Sequence, residues 1–493
     1  MKKLHYIMLG VLLAVFVMIA SALLIRGQAW GDDFAGYIMQ AKSIVNGTER
    51  QTVEQNLFAI NNSSVEFGPS AYPWGYPLVL ALYYRIFGLN LLALNSVNIL
   101  FLCFFIILFF VLLRNRLSPL EAVLVTAVVA FTPEVITFEN NITSDIAFLC
   151  LSTLCLLLID RFLSGQGGES ASLGKGAVLG AALFLAFFFR AVGVLILITL
   201  LACQVIVIFP HWRKQDMRKG LLINYLVPYL VFGILLGISA ILFPASQGSV
   251  NDSLAFLIKS FSLSLVKDHA WSVFHFIDQV YFASLHGPLI VYGFLLAFFM
   301  IGILARVEKD YAFIIYSVLT LLVVLIYPRI NIRYSFPVFP FFVYFSFQGM
   351  KTGFMGLREA YRRAGLAFTY LFWIVVLLFF AGTLVNLARA NLTSDQQVAG
   401  PFDAQSTEMF NFIKNSTPPD SVIVFFKPRA MRLITDRNAI TVNQCDQFQR
   451  GNFAVFIKDN YYNPFPVEKF VSCGLQTTQV FENENFIAFQ LMK

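Results

Sequence analysis

Charged side chains are scarce in this sequence. Asp, Glu, Lys and Arg together make up 13% of its 493 residues, against about 25% in an average soluble chain. Hydrophobic residues reach 58%, so a soluble fold would lack the polar groups to cover its surface. Lipid must therefore solvate much of it. Cysteine and histidine are also few, at six and five. No Cys-x-x-Cys or Cys/His spacing is present, which excludes a zinc-cluster domain. No internal repeat is legible. The net charge of +7 would suggest nucleic acid as a partner of a soluble chain. Here the basic residues stand in short clusters between apolar runs, which excludes that reading and makes them topology signals.

What is present is a series of long apolar runs. The expected spans are 6–25, 91–113, 120–137, 146–160, 176–189, 191–209, 221–243, 288–305, 311–327, 335–349 and 366–388, about eleven membrane helices in all. The first follows Lys2-Lys3. It is long enough to span and lacks a strong cleavage site, so it reads as a retained helix rather than a signal peptide. Residues 176–209 are interrupted only by Arg190 and read as two short spans with Arg190 at their outer turn. The remaining basic clusters are Arg114/Arg116, Arg161 with Lys175, Arg213-Lys214 with Arg218-Lys219, Arg306/Lys309, and Lys351/Arg358/Arg362/Arg363. With the N-terminus inside, all six fall on the cytoplasmic side, as the positive-inside rule requires.

Residues 1–388 thus read as a transmembrane domain with a large outer loop at 26–90, and 389–493 as a soluble extracytoplasmic domain. The outer loop carries a helical stretch, Phe34 to Val45, a polar region, and an apolar return beginning Tyr72-Pro73-Trp74-Gly75-Tyr76-Pro77. The tail alternates strand-like runs, 422–426, 453–457 and 486–490, with polar and helical stretches, which predicts a small α/β fold. Its two cysteines, Cys445 and Cys473, are available to pair if the tail faces an oxidising compartment.

Residues that could carry chemistry cluster on the outer side. Asp32-Asp33 follow the first span directly. Two adjacent carboxylates near a membrane surface suit a general base, because repulsion and desolvation raise at least one pKa. They suit a helix N-cap equally. Glu139 and Asp145 lie in a second short outer loop, where Asp145 also stands at a helix start. Arg190, Arg329 and Arg333 oppose the positive-inside tendency, as do Lys267 and His269 in the loop at about 245–287. A guanidinium fork there matches phosphate oxygens; snorkelling or pairing with an acid is the plainer alternative.

In order and topology these segments resemble the GT-C membrane glycosyltransferases, over most of residues 5–350. Asp32-Asp33 with Tyr37 is similar to their acidic first-loop motif, and Tyr72-Pro73-Trp74-Gly75-Tyr76-Pro77-Leu78 to their "PPGYPL" segment. Asp145, Arg190 with Gly193, and Arg333-Tyr334 with Pro337 and Pro340 follow in the family's order. The nearest group is that of protein O-mannosyltransferases and lipid A aminoarabinose transferases. The resemblance implies an inverting transferase on the outer face of a membrane, in a bacterium the inner one. It would move a sugar from a polyprenyl-phosphate donor to a glycan, lipid or protein. It implies a catalytic base at Asp33, by spacing to Tyr37, or at Asp32, by order in the pair. Substrate contacts would come from Tyr37, Tyr76, Asp145, Arg190, Lys267, His269, Arg329, Arg333 and Tyr334. No cofactor is certain; a divalent cation is possible, with Asp145 and Glu139 as candidate ligands. A transporter or flippase would be expected to carry charges near mid-span, and these spans are nearly free of them. A polysaccharide polymerase or ligase would share the substrate class but not the acid pair.

Overall fold

A computed structural model describes residues 4–65, 67–164, 172–213, 219–245, 262–285, 287–355, 358–393, 398–459 and 462–492. Lys2-Lys3, Lys214 and Arg218 from the basic clusters, and residues 246–261 of the second outer loop, lie outside these.

The chain opens with α1 (Leu4–Leu23), then three helices in the first loop: α2 (Asp33–Asn46), α3 (Glu49–Asn62) and α4 (Gly75–Phe87). The bundle continues through α5 (Leu91–Leu113), α6 (Pro119–Ala130), α7 (Pro133–Thr137), α8 (Asp145–Leu163), α9 (Leu173–Phe189), α10 (Val194–Arg213) and α11 (Lys219–Leu242). It closes with α12 (Leu263–Phe276), α13 (Pro288–Arg306), α14 (Tyr311–Ile326), α15 (Phe339–Met355) and α16 (Glu359–Thr393). Each expected span falls on helix. Among the described residues seven helices are long and apolar enough to cross a membrane, and α9 and α14 are shorter apolar helices.

The run 120–137 is not one straight helix. It bends by 58° between α6 and the turns beginning at Pro133. The cause is local: the residue before a proline avoids helical geometry, and proline has no N–H to give. Thr132 is accordingly extended, at φ −62° and ψ 121°. The polar stretch after α2 is also helical, as α3, where the sequence suggested only an Asn- and Ser-rich region. At Arg190 the chain leaves the helix with extended backbone, φ −155° and ψ 127°, as the two-span reading of 176–209 requires.

α15 is buried at every residue from Phe339 to Met350, which places it inside the bundle. It approaches α13 so closely that a Cβ at Gly302 would meet the Phe345 carbonyl, and one at Gly349 the Phe298 carbonyl. Small residues at such crossings let helix backbones touch. At one end of the bundle, Arg116 pairs with Asp160 and with Asp310, both at 2.6 Å. Arg306 and Tyr344 also reach Asp310, at 2.8 and 2.7 Å. Lys351 meets Glu121 at 2.6 Å. Three of the basic clusters are therefore tied to carboxylates at the same end. Removing one partner of such a buried pair costs about 3–5 kcal/mol, so these contacts select which helix ends meet.

The C-terminal domain is a five-stranded sheet of order β2-β1-β3-β5-β4. Its strands are β1 (Val422–Val424), β2 (Asn438–Ile440), β3 (Phe453–Ile457), β4 (Thr477–Glu482) and β5 (Phe486–Leu491). The β1–β2 and β1–β3 pairs are parallel, and β3–β5 and β4–β5 antiparallel. Alternate residues of β3 serve opposite faces, as a period of two demands. Val455 and Ile457 pack with α17 (Ala404–Ser416) and α18 (Pro428–Thr435) on one side. Ala454 and Phe456 pack with Phe448 and with Phe470 of α19 (Val467–Val471) on the other. Cys445 and Cys473 are disulfide-bonded.

This domain sits on the first loop. Trp30 inserts among Phe410, Phe425, Phe426 and Phe486, with ring centroids 4.9–6.4 Å away. Arg432 donates to Asn56 Oδ1 at 2.7 Å, and Lys42 pairs with Asp436 at 2.9 Å. Asp32 and Asp33 lie just beyond Trp30, at the seam between bundle and sheet.

Candidate active site

At the end of the bundle under the sheet domain lies a cavity of about 520 Å³. Its polar wall holds Asp33, Tyr37, Asp145, Arg190, Arg329, Arg333 and Tyr334. Val192 just before α10, and Val194, Leu195 and Ile198 at its start, form the apolar wall together with Val323 and Val324 of α14. Residues up to three hundred positions apart are thus brought to one place.

Asp33 opens α2 and is held from two directions. Arg333 Nη2 donates to Asp33 Oδ2 at 2.8 Å, and Tyr72 Oη donates to Asp33 Oδ1 at 2.7 Å. Burial alone would raise the Asp33 pKa. The Arg333 charge and these two hydrogen bonds outweigh burial and hold it below the usual carboxylate range. Tyr72 is itself buried, and burial pushes its phenol well above the usual value. It stays protonated and keeps donating. Tyr37 stacks on Tyr72, centroids 4.3 Å apart, and shares a 2.9 Å hydrogen bond with Ser144 Oγ. Burial lifts its pKa to about 12.

The second acid, Asp145, starts α8. Arg190 Nη1 pairs with its Oδ1 at 2.8 Å, and Arg333 Nη1 stands 3.8 Å from its Oδ2. Arg333 is therefore shared between two carboxylates through two different nitrogens. It sits in a short 3₁₀ turn, Ile332–Ser335, whose start is fixed by the Asn331 side chain accepting from Arg333 N. Tyr334 lies under both guanidiniums, with its ring centroid 5.6 Å from Arg190 and 5.4 Å from Arg333.

The other expected site residues are placed differently. Asp32 does not line the cavity. It turns toward the sheet domain and accepts from the Arg429 backbone N–H at 3.2 Å. Burial raises its pKa, against the opposing charges of Arg429 and Lys427. Of the two adjacent acids, Asp33 is the one that faces the cavity, and its pKa is lowered where that of Asp32 is raised. Tyr76 is buried behind the wall, edge-on to Tyr37, and bonds Asn98 at 2.9 Å. Lys267 is exposed, and His269 is buried with Nδ1 3.2 Å from the Leu325 carbonyl; neither lines the cavity. Glu139 is buried away from it. Sequence reasoning missed Tyr72 as a hydrogen-bond donor to the acid, and missed Arg429 altogether.

A resident divalent cation does not fit these residues. The two carboxylates that line the cavity are each taken by a guanidinium. Among the described residues no three His, Cys, Asp or Glu side chains converge on a metal position. The arginines already supply the positive charge.

No protein-family model matches the sequence, and no curated protein matches it. Solved structures do share its fold. ArnT from Cupriavidus metallidurans bound to undecaprenyl phosphate superposes with a TM-score of 0.59 at 13% identity, over 97% of each chain. The archaeal oligosaccharyltransferase AglB from Archaeoglobus fulgidus, in complex with an inhibitory peptide and a dolichol-phosphate, gives 0.56 at 11% identity. That match covers 100% of this chain and 75% of that one. At these identities the likeness is one of fold: the chain shares the overall fold of these two proteins over nearly its whole length.

Proposed function

We propose that this chain is an inverting glycosyltransferase that moves a sugar from a polyprenyl-phosphate-linked donor to a glycan, lipid or protein. The observation that carries the reading is the cavity itself: an ionised carboxylate, three arginines and an apolar wall in one space. A polyprenyl-phosphate sugar has complementary parts. Its chain suits the α10–α14 wall, its phosphate suits the guanidinium forks, and its anomeric carbon then lies on the Asp33 side.

In the reaction, the acceptor hydroxyl oxygen bonds to the sugar C1 while the bond from C1 to the phosphate oxygen breaks. The acceptor proton passes to Asp33, and the bonding electrons leave with the phosphate. A single displacement from the opposite face inverts the anomeric centre. Charge grows on the leaving phosphate, and arginines aimed at it stabilise the transition state. Phosphate oxygens would compete with Asp33 and Asp145 for Arg333. The donor would thereby weaken the ion pair that holds the Asp33 pKa low and so make it a stronger base.

The test uses membrane vesicles containing the protein, given undecaprenyl phosphates carrying different labelled hexoses, pentoses or aminopentoses. One donor is expected to lose its label into a new product, with release of undecaprenyl phosphate. Label that only crosses the membrane on its lipid would indicate a transporter. No Asp33-dependent consumption of any donor would overturn the reading.

The topology belongs to the same proposal: N-terminus inside, cavity and sheet domain on the outer face. The clustered basic residues support it, and so does the Cys445–Cys473 disulfide, a bond that persists in oxidising compartments. A reporter fused after Lys493 is expected to be active only outside. Cytoplasmic activity would mean that the number of crossings is even where this reading makes it odd.

A further inference from the structure

Arg429 belongs to the sheet domain, in the first turn of α18, yet it is buried at 2% exposure against the first loop. Its Nη1 donates to Tyr72 Oη at 2.8 Å, and its Nη2 donates to the Pro69 carbonyl. Its guanidinium also lies over the rings of Tyr72 and Phe67, 5.2 and 5.4 Å from their centroids. Its backbone N–H meets Asp32 Oδ1. Two glycines make room for this. A Cβ at Gly68 would fall 2.1 Å from Arg429 Nη1, and one at Gly36 would fall 2.5 Å from Tyr72 Cε2.

Tyr72 is the joint. Its oxygen accepts from Arg429 and donates to Asp33 Oδ1. A phenol has one proton to give, so an arginine donating to its oxygen leaves the carboxylate as the proton's target. We propose that Arg429 is a positioning residue for Asp33, acting through the Tyr72 hydroxyl, so that the sheet domain orients the acid of the bundle. Its catalytic meaning rests on the transferase reading above. When donor phosphate draws Arg333 away, the Tyr72–Arg429 pair is what keeps Asp33 aimed into the cavity.

Docking alone does not account for the arrangement. Arg432 bonds Asn56, and Lys42 pairs with Asp436, without touching either acid. The groups that face Asp33 are Arg333, Tyr72 and Arg429, with Asp32 and Tyr37 from its own segment. Lys427 faces Asp32 rather than Asp33.

The test is spectroscopic and needs no substrate. Infrared difference spectra of the full chain in lipid nanodiscs are recorded against pH, and the Asp33 carboxyl band is identified as the one lost in Asp33→Asn. Tyr72→Phe and Arg429→Gln are each expected to move its protonation midpoint up by about one pH unit. Lys42→Ala, which breaks a docking contact only, should leave it in place. If Arg429→Gln releases the sheet domain, as judged by proteolysis, Tyr72→Phe alone decides. A wild-type midpoint in Tyr72→Phe, or in a well-folded Arg429→Gln, would overturn the proposal and leave Arg429 as a docking residue. In the transfer assay, Arg429→Lys should lower kcat more than it raises the donor KM. If the wild type consumes no donor, the transferase reading fails while the infrared midpoint still judges the contact.

Discussion

Asp33→Asn is expected to lower transfer by about 10²–10⁴-fold, the share that a positioned general base commonly contributes. Undecaprenyl phosphate should still bind. Asparagine keeps the size of aspartate and most of its capping ability, but it cannot take a proton at neutral pH. The structure separates the two acids in a way that makes the comparison sharp. Asp33 faces the cavity between Arg333 and Tyr72, whereas Asp32 faces the N-terminal turn of α18. Asp32→Asn should therefore give a partial loss, with a lowered melting temperature as the contact to α18 weakens. The pH profile adds a sign. Asp33 is held below the usual carboxylate range, so its ionised form persists as pH falls. The acid limb of kcat/KM, which reports the free enzyme, should lie below the usual carboxylate values. The limb of kcat, which reports the donor complex, should lie higher, because donor phosphate competes for Arg333. Near-normal turnover in both Asn variants would remove the base from this site.

The bundle was legible because its physics is one-dimensional: an apolar run bounded by charge is a spanning helix wherever it occurs. The bend at Thr132–Pro133 was legible in principle from the proline, but the continuous apolar run masked it. In the sheet domain, the 422–426, 453–457 and 486–490 runs hold β1, β3 and β5. β2 is only three residues long, and β4 is an edge strand with no buried residue, so neither gives a readable alternation. The cavity arginines stood out because cations on the expected outer side oppose a known tendency. Arg429 did not, because an arginine in a soluble tail normally faces water. Only the fold shows it buried against Tyr72. Lys267 and His269 mark the opposite failure: polar residues in the expected compartment that the topology carries away from the cavity.

The second large effect is expected at Arg333. Arg333→Ala should weaken undecaprenyl phosphate binding by roughly 30–150-fold, corresponding to about 2–3 kcal/mol for loss of one buried charge partner. Lysine is the informative replacement. Arg333 meets Asp33 through Nη2 and approaches Asp145 through Nη1, a division that a single ammonium nitrogen cannot reproduce. Arg333→Lys should therefore recover less than about a tenth of the lost affinity. Binding is measured by titrating undecaprenyl phosphate into the purified protein at fixed low ionic strength, and the kcat/KM profile is read alongside. Without Arg333, Asp33 loses the largest of the influences that lower its pKa. The acid limb should then move to higher pH in the alanine variant whatever happens to the donor. Wild-type affinity in the lysine variant would mean that charge alone holds the phosphate. Wild-type affinity in both variants, with the acid limb displaced, would mean that Arg333 serves only to neutralise the two carboxylates. The phosphate would then rest on Arg190 and Arg329, and the donor could not act on the base by competing for its partner.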